Sequence, residues 1–445
     1  MLMKKIITAV VAILFATNVY AATDKLTIVT SFPKDLTEKF QNAFEKKYPE
    51  VKIEILGKST STGIKYVQET QSKNSSDLFW ASAPDAFEVL KGDKLLVKYT
   101  SSVKGIPAKV GSYPINDPDG YYTGFAAAGY GIMWNTRYMK ANKLPVPKEW
   151  NDLTKSIYYG HTGMSAPSRS GTTHLTVETI LQGEGWNKGW AEVINMSGNF
   201  KTVTAKSFGV PDGVNSGDFG IGIVIDFFAL SSIGGGFPVE FIYPKVTTLV
   251  PANIGIIKNA PNEKYAKLFV DFLLSTQGQE ILLDPKIRRL PVNPETYAKA
   301  PKGFPNPFKD SSIGAAVKFD VNLSKKRYNL VNSLFDVMVT YRLKELQEAT
   351  AAIHKAERAL SKKNNDKAKQ LVAEARTLLV KLPITEAQAN DAAYNKIFKK
   401  SRKKAKDLES YAGTRQAEVE TDWDKQVVDN YSKAKQKAEQ ALKLL

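Results

Sequence analysis

The chain has 445 residues, 62 Lys and Arg against 45 Asp and Glu for a net charge of +17, three histidines and no cysteine. The missing thiols exclude cysteine nucleophiles, disulfides and thiolate metal sites, and a mature chain of about 420 residues can bury a core in two or three domains without such staples. The charge raises the question of nucleic acid, but no nucleic-acid motif with interleaved aromatic readers is present, so no nucleic-acid partner is expected.

The opening segment, MLMKKIITAVVAILFATNVYAA, has a basic start at Lys4 and Lys5, an apolar run from Ile6 to Ala16, and small residues at a V-x-A site. This is the anatomy of a secretory signal peptide over residues 1–21, cut after Ala21. The apolar run falls short of the ~20 residues a membrane span needs. A periplasmic location is expected.

Residues 24–320 alternate short apolar runs with helical patterns. KLTIVTSF reads as a strand, and DLTEKFQNAFEKKYP places Leu36, Phe40 and Phe44 on one helical face before Pro49. VKIEIL is an alternating strand followed by the polar loop GKSTSTG. DLFWAS is another strand, and DAFEVLKGDKLL a second helix. Strand and helix in alternation predict an α/β domain with a largely parallel sheet. Hydroxyls collect after the strands, at Thr30 and Ser31, at Ser59, Thr60, Ser61 and Thr62, and at Ser82. Each alone reads as a turn or helix cap. Together they mark one polar edge, where open α/β sheets hold their ligands.

Two extended apolar passages, YYTGFAAAGYGIMWN and TTLVPANIGIIKN, flank a second α/β block. The expected organisation is two lobes joined by a hinge: residues 22–125 begin lobe 1, 126–250 form lobe 2, and 251–322 return to lobe 1. From about Leu323 to residue 445, Pro and Gly nearly vanish, and from Lys325 onward 26 Lys and Arg face 16 Asp and Glu. Leu346, Ala349, Ile353, Ala356 and Leu360 form a helical seam. KKNND makes a turn, and Thr385 with Gln388 signals a capping box for the last helix. A helical C-terminal extension is expected, its basic face solvated or attracted to anions.

In the second block, SAPSRSGTTH (residues 165–174) precedes the helical pattern LTVETILQGEGW. A helix N-terminus already favours negative charge through free N–H groups and the macrodipole. Ser168, Ser170, Thr172 and Thr173 add donors, Gly171 admits close backbone approach, and Arg169 offers a charge-assisted bond to phosphate or carboxylate. Simple helix capping would need only one of these residues, so the excess points to anion capture. Catalytic readings find less support. GKST at 57–60 lacks the Walker glycine, since Lys52 stands there. His161 and His174 have no G-x-S-x-G partner, and a satisfied structural histidine is the simpler account. No metal-ligand spacing appears and no cofactor is implied.

The passages SFP, DLFWASAPDAFE, SAPSRSGTTHLTVETILQGEGW, SFGVPDGVNSG and KLFVDFLLSTQGQEIL, with Phe335, Asp336, Arg342 and Leu343 later on, resemble the bacterial extracellular solute-binding proteins. The likeness spans about residues 24–360 and is nearest to a phosphoglycerate-uptake subgroup. It implies an α/β, two-lobed type II periplasmic-binding-protein fold with a hinge, followed here by the α-helical C-terminal extension. It also implies a small phosphorylated anion bound between the lobes, with Ser207 and Asp226 joining the residues already named. The implied partner is the membrane permease of an ABC importer or a membrane sensor kinase, and the protein is expected to be a monomer. Ferric-binding members carry adjacent tyrosines where this chain has Phe227 and Phe228, which cannot supply phenolate oxygen to iron. The alternatives are an exported phosphoesterase and an interaction protein acting through its basic helical tail.

Overall fold

The computed structural model describes residues 24–111, 113–314, 316–398 and 413–445. The segment read as a signal peptide lies outside them. Among the described residues no helix is long and apolar enough to cross a membrane.

In the first lobe, strand Asp24–Thr30 pairs in parallel with Val51–Gly57 on one side and Leu78–Ala81 on the other. The helix Lys34–Lys47 buries Leu36, Phe40 and Phe44 as their spacing predicts. Those rings meet Trp80, Phe125, Phe269 and Phe272 edge-on at centroid distances of 5.1 to 6.4 Å, the arrangement favoured by aromatic quadrupoles.

The two extended apolar passages are strands Thr123–Asn135 and Leu249–Ile257, buried along their whole length and paired antiparallel. Strand Thr123–Asn135 belongs to both lobes. Its first half, through Gly129, pairs with Leu249–Ile257; its second half, from Tyr130, pairs with Ile221–Ile225. Beyond Ile221–Ile225 the second lobe adds Thr162–Ser165 and Phe200–Thr204 in parallel. The lobes are therefore joined through the interior of one continuous sheet.

The helical extension begins with Val321–Phe335, which packs on helix Pro84–Gly92 of the first lobe and on Gly171–Glu184 of the second. It runs directly into a π-helical turn, Asp336–Thr340. Helices Leu343–Leu360, Asp366–Leu379 and Arg415–Leu442 then pack together. The seam Leu346, Ala349, Ile353 and Ala356 is buried as expected. The Thr385–Gln388 capping box forms, but it opens a helix of only five residues, Glu386–Asn390, and not the last one. The last helix starts at Arg415, capped by Thr414. A cap sets where a helix starts, while its length depends on an apolar face to bury.

Candidate functional site

The parallel strands of each lobe end at a common edge, and the two edges face each other across a cleft of about 250 Å³. The first lobe contributes Thr30, Ser31, Phe32, Pro33, Gly57, Lys58, Ser59, Thr60 and Ser82. The second contributes Arg169, Ser170, Thr172, Lys206, Ser207, Phe208, Phe227 and Phe228.

Five helices begin at this cleft. Pro33 precedes Lys34–Lys47, Ser59 caps Thr60–Thr70, and Ser170 caps Gly171–Glu184. Phe208 precedes Gly209–Ser216, and Phe227 lies in the first turn of Asp226–Gly234. The Ser59 and Ser170 hydroxyls accept from the N–H groups of Thr62 and Thr173. Each helix start carries partial positive charge. To this the lining adds Lys58, Arg169 and Lys206, none of them ion-paired among the described residues, and no carboxylate. The arrangement attracts anions and offers hydroxyl and backbone donors to them.

A larger concavity of about 990 Å³ has the opposite character. There Lys91 sits 2.7 Å from Asp117, 2.6 Å from Asp119 and 3.6 Å from Glu88, so its charge is already balanced. Volume alone would favour that concavity, but unpaired cations and converging helix starts favour the smaller cleft.

Nine of the fifteen expected residues line the cleft: Thr30, Ser31, Ser59, Thr60, Ser82, Arg169, Ser170, Thr172 and Ser207. Of the other six, Thr62 and Thr173 are held by the caps of their own helices, and the remaining four are drawn away by contacts distant in sequence. Ser61 donates its hydroxyl across the lobes to the Ser168 carbonyl at 3.3 Å. The Thr62 hydroxyl lies 2.7 Å from that of Ser59. Ser168 is buried facing Asp336, whose carboxyl burial pushes up to about 6 against the pull of the Ser168 and Thr340 hydroxyls and the Arg169 charge. Gly171 marks where the lobes touch: a Cβ there would stand 2.9 Å from Ala83 Cβ and 3.0 Å from Thr60 Cγ2. Thr173 is buried beneath its own helix cap.

Asp226 is wholly buried behind the lining. Its carboxylate accepts from the N–H groups of Gly129 and Phe227, each at 2.7 Å, and from the Tyr243 hydroxyl at 2.9 Å. It thus fastens the second lobe to the shared strand at the point where that strand changes partners. Burial raises its carboxyl to about 7 despite those donors.

The lining also includes Lys58, Lys206 and Phe208, which were not singled out from the sequence. Lys58 and Lys206 stand directly before Ser59 and Ser207, and a cation beside a hydroxyl at a strand end was the signal that could have found them. Phe32, Phe208, Phe227 and Phe228 supply apolar walls with no oxygen donor among them. Among the described residues no group of three or more His, Asp or Glu is placed to hold a metal ion. His174 is buried in contacts with Asn332, Ser324 and Asp85, as a structural histidine would be.

A family model described as bacterial extracellular solute-binding protein matches residues 73–312. The phosphoglycerate transport regulatory protein PgtC of Salmonella typhimurium is 30% identical over 374 residues, covering 83% of this chain and 88% of PgtC. A match of that length reaches past residue 360 wherever it begins, so the likeness extends further into the helical extension than the sequence motifs carried it. Among solved structures, the periplasmic binding protein AfuA from Actinobacillus pleuropneumoniae, with exogenous fructose-6-phosphate bound, superposes with a TM-score of 0.63 at 22% identity, covering 70% of this chain and 98% of AfuA. The periplasmic binding protein P5PA gives 0.64 at 21% identity, covering 71% and 99%. These likenesses identify the fold as the two-lobed type II periplasmic-binding-protein architecture with a helical C-terminal region added. The chain belongs to the bacterial extracellular solute-binding protein family.

Proposed function

We propose that this protein is a periplasmic receptor that captures a small phosphorylated organic anion, of the phosphoglycerate or phosphoenolpyruvate kind, in the cleft between its lobes. The observation that carries this reading is the lining itself: three cations that form no ion pair among the described residues, five helix starts, a ring of hydroxyls and no carboxylate. Phosphate suits such a site because it accepts many hydrogen bonds and keeps its charge at neutral pH. The names of the relatives agree, one being a phosphoglycerate transport regulatory protein and one a structure with a sugar phosphate bound.

The ligand would bridge donors from both lobes and so bind the closed arrangement better than the open one, which is what closes a two-lobed receptor. The closed form would then be read by the permease of an ABC importer or by a membrane sensor kinase. Isothermal titration of the mature protein with 3-phosphoglycerate, phosphoenolpyruvate, glucose 6-phosphate and inorganic phosphate tests the reading, alongside Arg169→Ala and Ser170→Ala. Tight binding of one organic phosphate, lost in both variants, is the expected result. No binding of any of the four would sink it.

A further inference from the structure

Arg289 is the least satisfied charge among the described residues. Its side chain is 1% exposed, and Nε, Nη1 and Nη2 all lack a hydrogen-bond partner. The residue sits where strand Leu290–Pro291 joins the shared strand at Ala126 and Ala127 of the first lobe. Its guanidinium carbon lies 3.4 Å from the ring centroid of Phe227 and 4.4 Å from that of Phe32. Both rings line the cleft, Phe32 from the first lobe and Phe227 from the second. The guanidinium is therefore held at the seam between the lobes, in contact with two walls of the candidate site.

The neighbouring carboxylate does not account for it. Both oxygens of Asp226 are engaged by the donors of Gly129, Phe227 and Tyr243, and Asp226 acts on Arg289 only through its charge. A guanidinium has five N–H donors in one plane and cannot shed its charge in a protein. With aromatic rings against it, its cation–π contacts offset part of the desolvation, but among the described residues none of the five donors is used. Unpaired buried charges are rare, since their desolvation is recovered only when an anion supplies both charge and hydrogen bonds.

We infer that Arg289, which lies behind Phe32 and Phe227 and not on the cleft surface itself, is the receptor for a second anionic group of the ligand, a carboxylate that enters between those two rings. The inference rests on the phosphorylated-anion reading and deepens it by assigning the residue that takes the ligand's carboxylate. The preferred ligand is a short phosphorylated carboxylic acid, not a sugar phosphate, whose far end carries only hydroxyls. A planar carboxylate matches the guanidinium fork bidentately. Separation of the lobes would move Phe227 away from Arg289 and open the guanidinium to the ligand's carboxylate.

The test compares 3-phosphoglycerate with glycerol 3-phosphate, which keeps the phosphate and lacks the carboxylate, by isothermal titration of the full mature chain. The wild-type protein is expected to prefer 3-phosphoglycerate by at least about 100-fold, the loss expected when a site built for a charged group meets a ligand without it. Arg289→Gln should reduce that preference to a few-fold while leaving glycerol 3-phosphate affinity close to wild type. Arg289→Lys, which keeps the charge and loses the fork, should fall between. Equal wild-type affinity for the two ligands would overturn the inference and leave the phosphate reading standing. So would an Arg289→Gln variant that loses both ligands equally together with thermal stability, since that is the mark of a structural role. Wild-type protein that binds neither ligand would overturn the phosphate reading itself, and the inference with it.

Discussion

The carboxylate of Asp85 and the imidazole of His174 lie 3.3 Å apart, both wholly buried, although Asp85 is in the first turn of a first-lobe helix and His174 is in a second-lobe helix. Ser324 of helix Val321–Phe335 donates to Asp85 at 2.9 Å and contacts His174 Nε2 at 3.1 Å, while Asn332 meets His174 Nδ1 at 2.8 Å. One turn further along, Arg327 donates bidentately to Glu178 at 2.8 and 2.9 Å. Burial pushes Glu178 up, but the Arg327 charge and hydrogen bonds outweigh it and hold the carboxyl below its ordinary value. The first helix of the extension is thus a polar bridge between lobes, and at this point they cannot part without breaking it.

Ser324→Ala removes one donor from the buried Asp85 carboxylate and adds nothing in its place. Leaving a buried polar group short of a partner costs about 1–3 kcal/mol, and that loss is expected in guanidinium unfolding. The exposed pair Lys34–Glu38 is the control, because a surface i,i+4 pair is worth roughly 0.3–0.5 kcal/mol. If Ser324→Ala and Glu38→Ala destabilise alike, the bridge contributes nothing beyond packing.

Stability should peak in mildly acidic solution. Burial raises Asp226 to about 7 and Asp336 to about 6, and burial with the Glu184 charge raises Glu192 to about 7. A raised carboxyl pKa means that the folded chain holds its proton more tightly than the unfolded one. That stability is complete below the unfolded value near 4 and is lost as pH rises through 6 and 7. Glu357 behaves oppositely: burial pushes it up, but His354 and Arg376 overcome this and bring it to about 2. Its contribution is lost as pH falls through 4 toward 2. The urea midpoint is therefore expected to be highest near pH 5 and lower at 7.5, with a smaller drop in Asp226→Asn. A midpoint that climbs steadily from pH 5 to 7.5 would contradict this.

The same carboxylate shows where a sequence stops being informative. The SRSGTTH run could be read as an anion cradle because caps, hydroxyls and helix polarity are local, and Arg169, Ser170 and Thr172 do line the cleft. Asp226 could not be placed that way, because its burial depends on Gly129 and Tyr243, distant in sequence. Arg289 sits in IRRLPV, a stretch without a motif, and only the meeting of Phe32 with Phe227 makes it unusual. The alternating elements of the first lobe were readable from periodicity, but the expected largely parallel sheet is mixed, because the shared strand Thr123–Asn135 and Leu249–Ile257 pair antiparallel with each other and with their neighbours. The lengths of the helices after Leu360 were not readable either, since they depend on which faces the bundle buries.

Within the cleft the cations should differ in weight. Arg169 is half-buried beside the Ser170 helix cap, whereas Lys206 is exposed. Arg169→Ala is expected to weaken the binding of a phosphorylated anion roughly 100-fold, about 2.7 kcal/mol, because charge-assisted bonds in a partly desolvated site are the strong ones. Lys206→Ala should cost only a few-fold, mostly in association rate, and the difference should shrink as salt is raised. Titration and stopped-flow binding at 0.05 and 0.5 M NaCl would separate the two. Equal losses that are equally sensitive to salt would mean that the cleft acts as a diffuse field and not as a fitted grip.

The extension docks on the second lobe through a contact that leaves no space for a side chain. Gly198 ends helix Trp186–Gly198, and a Cβ there would overlap Thr350 Oγ1 and stand 3.0 Å from Thr350 Cβ. Thr350 is wholly buried on helix Leu343–Leu360, and the surrounding joint is closed by His354 to Asn199 at 2.8 Å, Arg376 to Asn195 at 2.9 Å and Gln347 to the Phe200 carbonyl at 2.6 Å. Gly198→Ala must push the two helices apart, which costs about 1–3 kcal/mol in a packed interior. Limited proteolysis should then cut first within the extension, because the docking contact is what the substitution strains. Gly198→Ala with Thr350→Ala should recover part of the loss, since residues in direct contact are not additive. A double variant no more stable than Gly198→Ala alone would show that the clash with Thr350 is not the cause, and that Gly198 matters for the end of its own helix.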